Sequence, residues 1–336
     1  MNIDIIQRKI IDRLNVFLII LIVMTHSIIT IDDRESFEYF NTFIFKTFTR
    51  IAVPIFFIIS GFLLFRNYSY RKIKSRTRSV LVPYLLWSIL SFGIFVFLAK
   101  LPYLGLFFNN KSISLSLESF IKCSFISPLN GALWFLRDLY ILVLLSPIIN
   151  ILLKDKYIMK IIIFVIFIVW ITDLKYSFLI ESSLFFCIGA EFSKYKFSDY
   201  IKPRTNLVCI VLYLLICLIY PSFSNDYTVG SKFIILFGLL TLYVNMGYFF
   251  RDSFVMKLFE NLKQYSFFIY AFHLLIVQFI KKIWDILLGK SEINLVFFII
   301  LYIITVCITI GICYSVQKIF QKRVPKVIAI LTGNRC

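Results

Sequence analysis

Leu14–Ile31, LNVFLIILIVMTHSIITI, is a run of 18 residues without a single charge, and its reading decides the fold. At about 1.5 Å of rise per helical residue it is long enough to cross a hydrocarbon core of about 30 Å. It is too long for the apolar part of a cleavable leader and lacks a small-residue cleavage site, so it is expected to stay as a first membrane helix. Four more charge-free runs reach that length: Ser79–Ala99, Thr205–Asn225, Phe233–Phe250 and Ile293–Gln317. Shorter ones at Ile51–Phe65, Leu139–Leu153, Ile161–Thr172, Ser182–Ala190 and Gln264–Ile280 fill the gaps. The expected architecture is an all-α polytopic membrane protein with about ten transmembrane helices, forming one domain over residues 1–336.

Composition supports this from a different direction. Of 336 residues, 60% are hydrophobic and only 16% charged, where ordinary soluble domains carry roughly a quarter charged residues. That balance excludes a disordered chain, a collagen and almost any soluble enzyme. The net charge of +18 does not point to nucleic acid, because the 36 Lys and Arg are scattered between apolar runs rather than gathered on one face. Seven Cys without a C-x-x-C pair, most of them inside apolar runs, indicate neither a disulfide framework nor a zinc site.

Loop charges set the expected orientation. With the N-terminus in the cytoplasm, 24 of the basic residues fall in cytoplasmic segments and nine, Lys232 among them, in outer ones. Asp32, Asp33, Glu35 and Glu38 then lie in the first outer loop. A bias of this size places both termini in the cytoplasm.

Ionisable groups at membrane depth are functional candidates by default. Both His residues fall in apolar runs. His26, in Thr25-His26-Ser27, is read either as a histidine hydrogen-bonded to a neighbouring helix or as a general base or transient acyl acceptor. His273, in Tyr270-Ala271-Phe272-His273, carries the same two readings with less local polarity. Arg50 precedes Val53-Pro54 as a lone positive charge suited to a phosphate or carboxylate. Arg137 and Asp138 either neutralise one another or hold a polar ligand, and Glu181 faces either a lumen or a helix interface. The basic run Arg71–Arg78, which includes Arg76, fits anionic lipid and equally the entrance for a phosphate-rich donor.

Four segments together resemble the integral-membrane acyltransferase 3 family, which O-acylates bacterial glycans. They are Ile11-Asp12-Arg13-Leu14-Asn15 leading to His26; Val53-Pro54-Ile55-Phe56-Phe57-Ile58-Ile59-Ser60-Gly61-Phe62-Leu63-Leu64; Val82-Pro83-Tyr84-Leu85-Leu86-Trp87 with Trp134-Phe135-Leu136; and Tyr265-Ser266-Phe267-Phe268-Ile269-Tyr270-Ala271-Phe272-His273. Asn15 stands where the family usually has an arginine, so either Arg13 or a cytoplasmic arginine from elsewhere takes that part, or donor binding differs. The resemblance implies acyl transfer, most often of acetyl, from cytoplasmic acetyl-CoA to a hydroxyl of a cell-surface polysaccharide or its lipid-linked precursor. It implies His26 as base or acyl relay, Arg13 and Arg76 at the donor phosphates, and Arg50 and Arg137 at the acceptor or thioester, with Asp138 and His273 as further binding residues. It places the chain in the bacterial inner membrane, with no metal expected. Pro54 and Ser60-Gly61 would kink or thin the second helix. Two rivals stand beside this reading: a polysaccharide flippase or transporter, and a glycan polymerase. No paired repeat favours the first, and the stretch from Lys100 to Gly131 has no arginine to favour the second.

Overall fold

The computed structural model describes residues 3–28, 35–99, 116–122, 126, 128–172, 178–195, 206–223, 229–288 and 293–334. Asp32 and Asp33 lie outside them, as does most of the stretch from Lys100 to Gly131. Among the described residues the backbone is helical, with no strand. The helices are α1 (Ile3–His26), α2 (Glu35–Thr42), α3 (Ala52–Phe65), α4 (Tyr70–Arg76), α5 (Val82–Ala99), α6 (Leu117–Ile121), α7 (Trp134–Leu152) and α8 (Ile158–Thr172). They continue with α9 (Phe178–Phe192), α10 (Leu207–Ile219), α11 (Val229–Val244), α12 (Phe254–Leu262), α13 (Ser266–Leu288), α14 (Leu295–Arg323) and α15 (Pro325–Leu331). Among the described residues, five helical stretches are long and apolar enough to cross a membrane: Phe37–Phe65, Tyr70–Leu98, Gly131–Leu152, Phe254–Leu288 and Leu295–Arg323. With three shorter apolar helices besides, at 158–172, 207–222 and 229–244, this is a multi-pass membrane protein.

The chain divides into two compact units, residues 1–72 with 144–266 and residues 73–143 with 267–336. In the first, α3 and α9 form the tightest seam. A Cβ on Gly61 would fall closer than 3.0 Å to the carbonyl oxygen of Phe186, and one on Gly189 as close to that of Ile58. The glycines therefore let two backbones touch where hydrocarbon supplies no hydrophobic drive for helix association. The expectation for Ser60-Gly61 resolves in favour of thinning, because α3 runs unbroken through both residues.

The irregular stretch lies upstream of Pro54, as a π turn at Phe43–Thr47 and a 3-10 turn at Phe48–Ile51. Proline has no N–H to offer the carbonyl four residues back, which here belongs to Arg50. Backbone groups released in this way must find partners inside the protein. The Thr47 hydroxyl donates to the Phe43 carbonyl at 2.6 Å, Thr49 to Ile44 at 2.6 Å, and Tyr213 to Phe48 at 3.2 Å. Lys72 caps the far end of α3, its ammonium donating to the carbonyls of Leu63 at 3.0 Å and Leu64 at 3.1 Å.

The N-terminal half of α1 is fastened by charge. Arg13, 1% exposed, donates to the carbonyls of Phe249 (2.8 Å) and Arg251 (3.0 Å) and to the carboxylates of Asp252 (3.2 Å) and Glu260 (2.8 Å). Lys9 reaches the same Asp252 oxygen at 3.0 Å. The Lys9 hydrogen bond first, and the Arg13 one next, hold the Asp252 carboxyl below its ordinary 3.8. A carboxyl lowered by folding contributes stability above its unfolded pKa and loses that contribution as pH falls through the folded value. Asp252→Asn is therefore expected to melt earlier than the wild type in detergent at neutral pH, with the gap closing below pH 3.8. A gap that stays constant down to about pH 3 would contradict the linkage.

In the second unit, α15 ends in a Schellman motif. Gly333, at φ +64°, follows the helix, with Asn334 N–H on Ala329 O at 2.7 Å and Gly333 N–H on Ile330 O at 3.1 Å. The Trp87 indole of α5 donates to Leu331 O at 3.0 Å, so α5 holds the end of α15. The segment before α7 is clamped to α13: Asn130 Nδ2 donates to Ala271 O at 2.8 Å, and the Tyr270 hydroxyl donates to Ala132 O.

Candidate active site

Three of the expected site residues belong to the first unit (Arg13, His26, Arg50) and four to the second (Arg76, Arg137, Asp138, His273). His26 is the last residue of α1. The helix thus stops short of Ile31, and the imidazole rides at its end, half-buried. It is not sealed in aliphatic packing.

The polar triplet around the ring is part of the mounting. Thr25 Oγ1 lies 2.9 Å from the Leu21 carbonyl and 2.7 Å from Thr49 Oγ1, while the Ser27 hydroxyl donates to Val23 O at 2.8 Å. The Thr25–Thr49 contact ties the turn that carries His26 to the 3-10 turn that carries Arg50. Irregular backbone of this kind is tolerated in a membrane protein where it is buried in protein or lines a cavity.

Arg50 does not stand alone as the sequence suggested. Its guanidinium lies 3.9 Å from Glu181 Oε2 in the first turn of α9, and Glu181 is 1% exposed. The same oxygen accepts from the Trp170 indole N–H at 3.2 Å. Beyond the indole sits Lys232, also 1% exposed, with its ammonium 5.5 Å from the Trp170 ring centroid and donating to the Trp170 carbonyl and to Ile171 O at 3.5 Å. Lys232 is therefore no loop charge. It is buried in the first turn of α11, where it caps the C-terminal end of α8, a position that favours a cation. No sequence rule singles it out, because a charge beside an apolar run reads as the end of that run.

Arg13 lies among protein groups of its own unit. Two carbonyls and two carboxylates already hold its guanidinium, and it is almost fully enclosed.

In the second unit Arg137 and Asp138 pair with each other, Nε to Oδ1 at 2.9 Å, and Arg137 also donates to Ile126 O at 2.8 Å. Asp138 is 2% exposed, so mutual neutralisation is the reading this geometry favours. His273 is fully buried, with Nδ1 at 3.1 Å from Ile269 O and 2.7 Å from Tyr270 O. Carbonyl oxygens only accept, so the Nδ1 carries the proton. Through Nδ1 the ring is bonded to its own helix, not to a neighbouring one. Arg76 ends α4 half-buried, while Arg71, Lys74 and Arg78 of the same run are exposed.

Among the described residues no three His, Cys, Asp or Glu side chains gather in a way that could hold a metal ion. An apolar cleft of about 380 Å³ in the first unit is walled by α1, α3, α9 and α11, with Leu14, Ile58, Phe185 and Leu239 among its lining. Neither His26 nor Arg50 lines it.

A multi-pass helical protein with a half-buried imidazole at a helix end, tied through Thr25 and Thr49 to the turn that carries Arg50, fits a membrane-embedded transferase. The family model described as "Acyltransferase domain" matches residues 8–314, and the chain belongs to that acyltransferase 3 family. It is an acyltransferase of the kind that transfers groups other than amino-acyl groups, which decides against the transporter and polymerase readings. The chain is also similar to the succinoglycan biosynthesis protein ExoH of Rhizobium meliloti (strain 1021), 25% identical over 316 residues, covering 89% of this chain and 83% of that protein. No solved structure matches.

Proposed function

We propose that this protein moves an acyl group, most often acetyl, from cytoplasmic acyl-CoA to a hydroxyl of a cell-surface polysaccharide or its lipid-linked precursor. Its setting is the inner membrane, crossed by about ten helices with both termini cytoplasmic, as the charge bias between loops suggests. The likeness to a succinoglycan biosynthesis protein supports a glycan acceptor. The observation that carries the mechanism is the half-buried His26 ring, mounted through Thr25 and Thr49 beside the turn of Arg50.

His26 acts as the general base. It takes the acceptor hydroxyl proton as that oxygen attacks the thioester carbonyl; the new C–O bond forms, the C–S bond breaks, and the leaving CoA thiolate takes the proton from the His26 imidazolium, which restores the base. Arg50 offers a fixed positive charge to the oxyanion that develops on the thioester carbonyl. Arg76, together with the exposed Arg71, Lys74 and Arg78, supplies cations for the phosphates of the donor. Arg13 takes a scaffolding role, fixing α1 so that the helix end with His26 is held in place. Arg137 and Asp138, as a pair, frame the acceptor side, and His273 supports α13 from within.

The test is mass spectrometry of polysaccharide purified from cells with and without the protein. The expected result is an acyl mass increment on the sugar that depends on the protein. Glycan export that changes with no change in sugar mass would overturn the proposal.

A further inference from the structure

Three charges of the first unit are arranged in order. Arg50 is 3.9 Å from Glu181, Glu181 accepts from the Trp170 indole at 3.2 Å, and Lys232 lies over the Trp170 ring at 5.5 Å. Glu181 and Lys232 are each 1% exposed. A carboxylate that deep is costly unless it is paired and hydrogen-bonded, and here it has both an indole donor and a guanidinium. Lys232 is held on carbonyls at the end of α8, so its own position is fixed by backbone. Glu181 therefore sits between the anchored Trp170 indole and the guanidinium of Arg50, which is carried on a 3-10 turn.

We propose that Glu181 is a positioning residue for acyl transfer: held by Trp170, it fixes the Arg50 guanidinium next to the helix end that carries His26. This rests on the reading of His26 and Arg50 given under the proposed function. Trp170 and Lys232 are the rear of the same device, since the indole orients the carboxylate and the ammonium, capping α8, holds the indole. The sequence separates the four residues widely, and only the fold brings them into line. Glu181 touches no substrate in this scheme; it acts through Arg50.

Full-length protein in membranes, with acetyl-CoA as donor and the producing strain's own polysaccharide as acceptor, provides the test. Glu181→Gln is expected to lower the transfer rate about tenfold, and Glu181→Asp to recover most of that loss because the charge returns. In an Arg50→Gln background, Glu181→Gln is expected to change the rate less than about twofold, since the residue it acts through is gone. A merely structural role would instead give the same further loss in both backgrounds, and that result overturns the proposal, as does a wild-type rate for E181Q. Where E181Q does not accumulate in the membrane, Trp170→Phe takes its place, removing the indole donor while keeping the ring. It is expected to slow transfer about threefold alone and not at all beyond R50Q. Full additivity there also overturns the proposal. His26→Ala, run alongside, separates the two ideas: transfer that survives it removes the proposed function, whereas its loss together with additive E181Q removes only the role of Glu181.

Discussion

Polysaccharide from cells carrying His26→Ala is expected to lack the acyl group altogether, with the protein still present in the membrane at wild-type levels. A positioned general base contributes about 10²–10⁴-fold to a rate. Its removal takes away the acceptor proposed for the hydroxyl proton. The side chain is half-buried at the end of α1, and bonds from Thr25 and Ser27 help seat that end. Alanine keeps both neighbours and the bonds they make, so the protein is expected to remain in the membrane. Acylation measured by mass spectrometry at or near the wild-type level would remove the base assignment.

The largest structural effect is expected at the α3–α9 seam. Gly189→Ala sets a methyl group closer than 3.0 Å to the backbone carbonyl of Ile58, and a backbone cannot swing aside as a flexible side chain does. Over-packing of a tight interior costs about 1–3 kcal/mol, and the top of that range is expected here because the obstacle is main chain. Gly61→Ala meets the carbonyl of Phe186 in the same manner. Both variants are expected to melt well below wild type in detergent and to accumulate poorly, whereas Gly93→Ala and Gly311→Ala, whose added carbons would meet nothing within 4 Å, serve as controls. Equal melting temperatures for G189A and G93A would show that the seam is not as close as described.

The apolar runs were enough to find the helices, because a chain in hydrocarbon must satisfy its own backbone, and a charge-free run of sufficient length has one economical way to do so. Each run quoted at the outset carries helix in the structure. The helix limits were harder to see. α1 stops at His26 although the apolar pattern continues to Ile31, and α11 begins ahead of Lys232 although the charge appeared to bound the run. In the second case the reason is tertiary: Lys232 can be buried only because the end of α8 presents carbonyls to it.

The site was legible to a similar degree. His26 stood out as a polar group in an aliphatic run, and Arg50 as a charge preceding a proline. Glu181 was visible but ambiguous, since its partner Arg50 lies on a distant segment that only the fold brings near. Arg13 looked like a ligand-binding cation because the carbonyls and carboxylates that enclose it come from residues 249–260. A sequence reports the charge of an arginine, and its availability is a property of the packed structure.

The hydroxyl contacts under His26 have one more consequence. Thr25 and Thr49 own two protons between them, yet their oxygens make three short approaches, to Leu21 O, to each other and to Ile44 O. One arrangement sends the Thr25 proton across to Thr49 and that of Thr49 to Ile44; the other sends Thr25 to its own helix and reverses the link between the two. The joint that carries the imidazole thus has two interchangeable wirings with every heavy atom in place, and valine at either position would cut the cable without changing the shape of the socket.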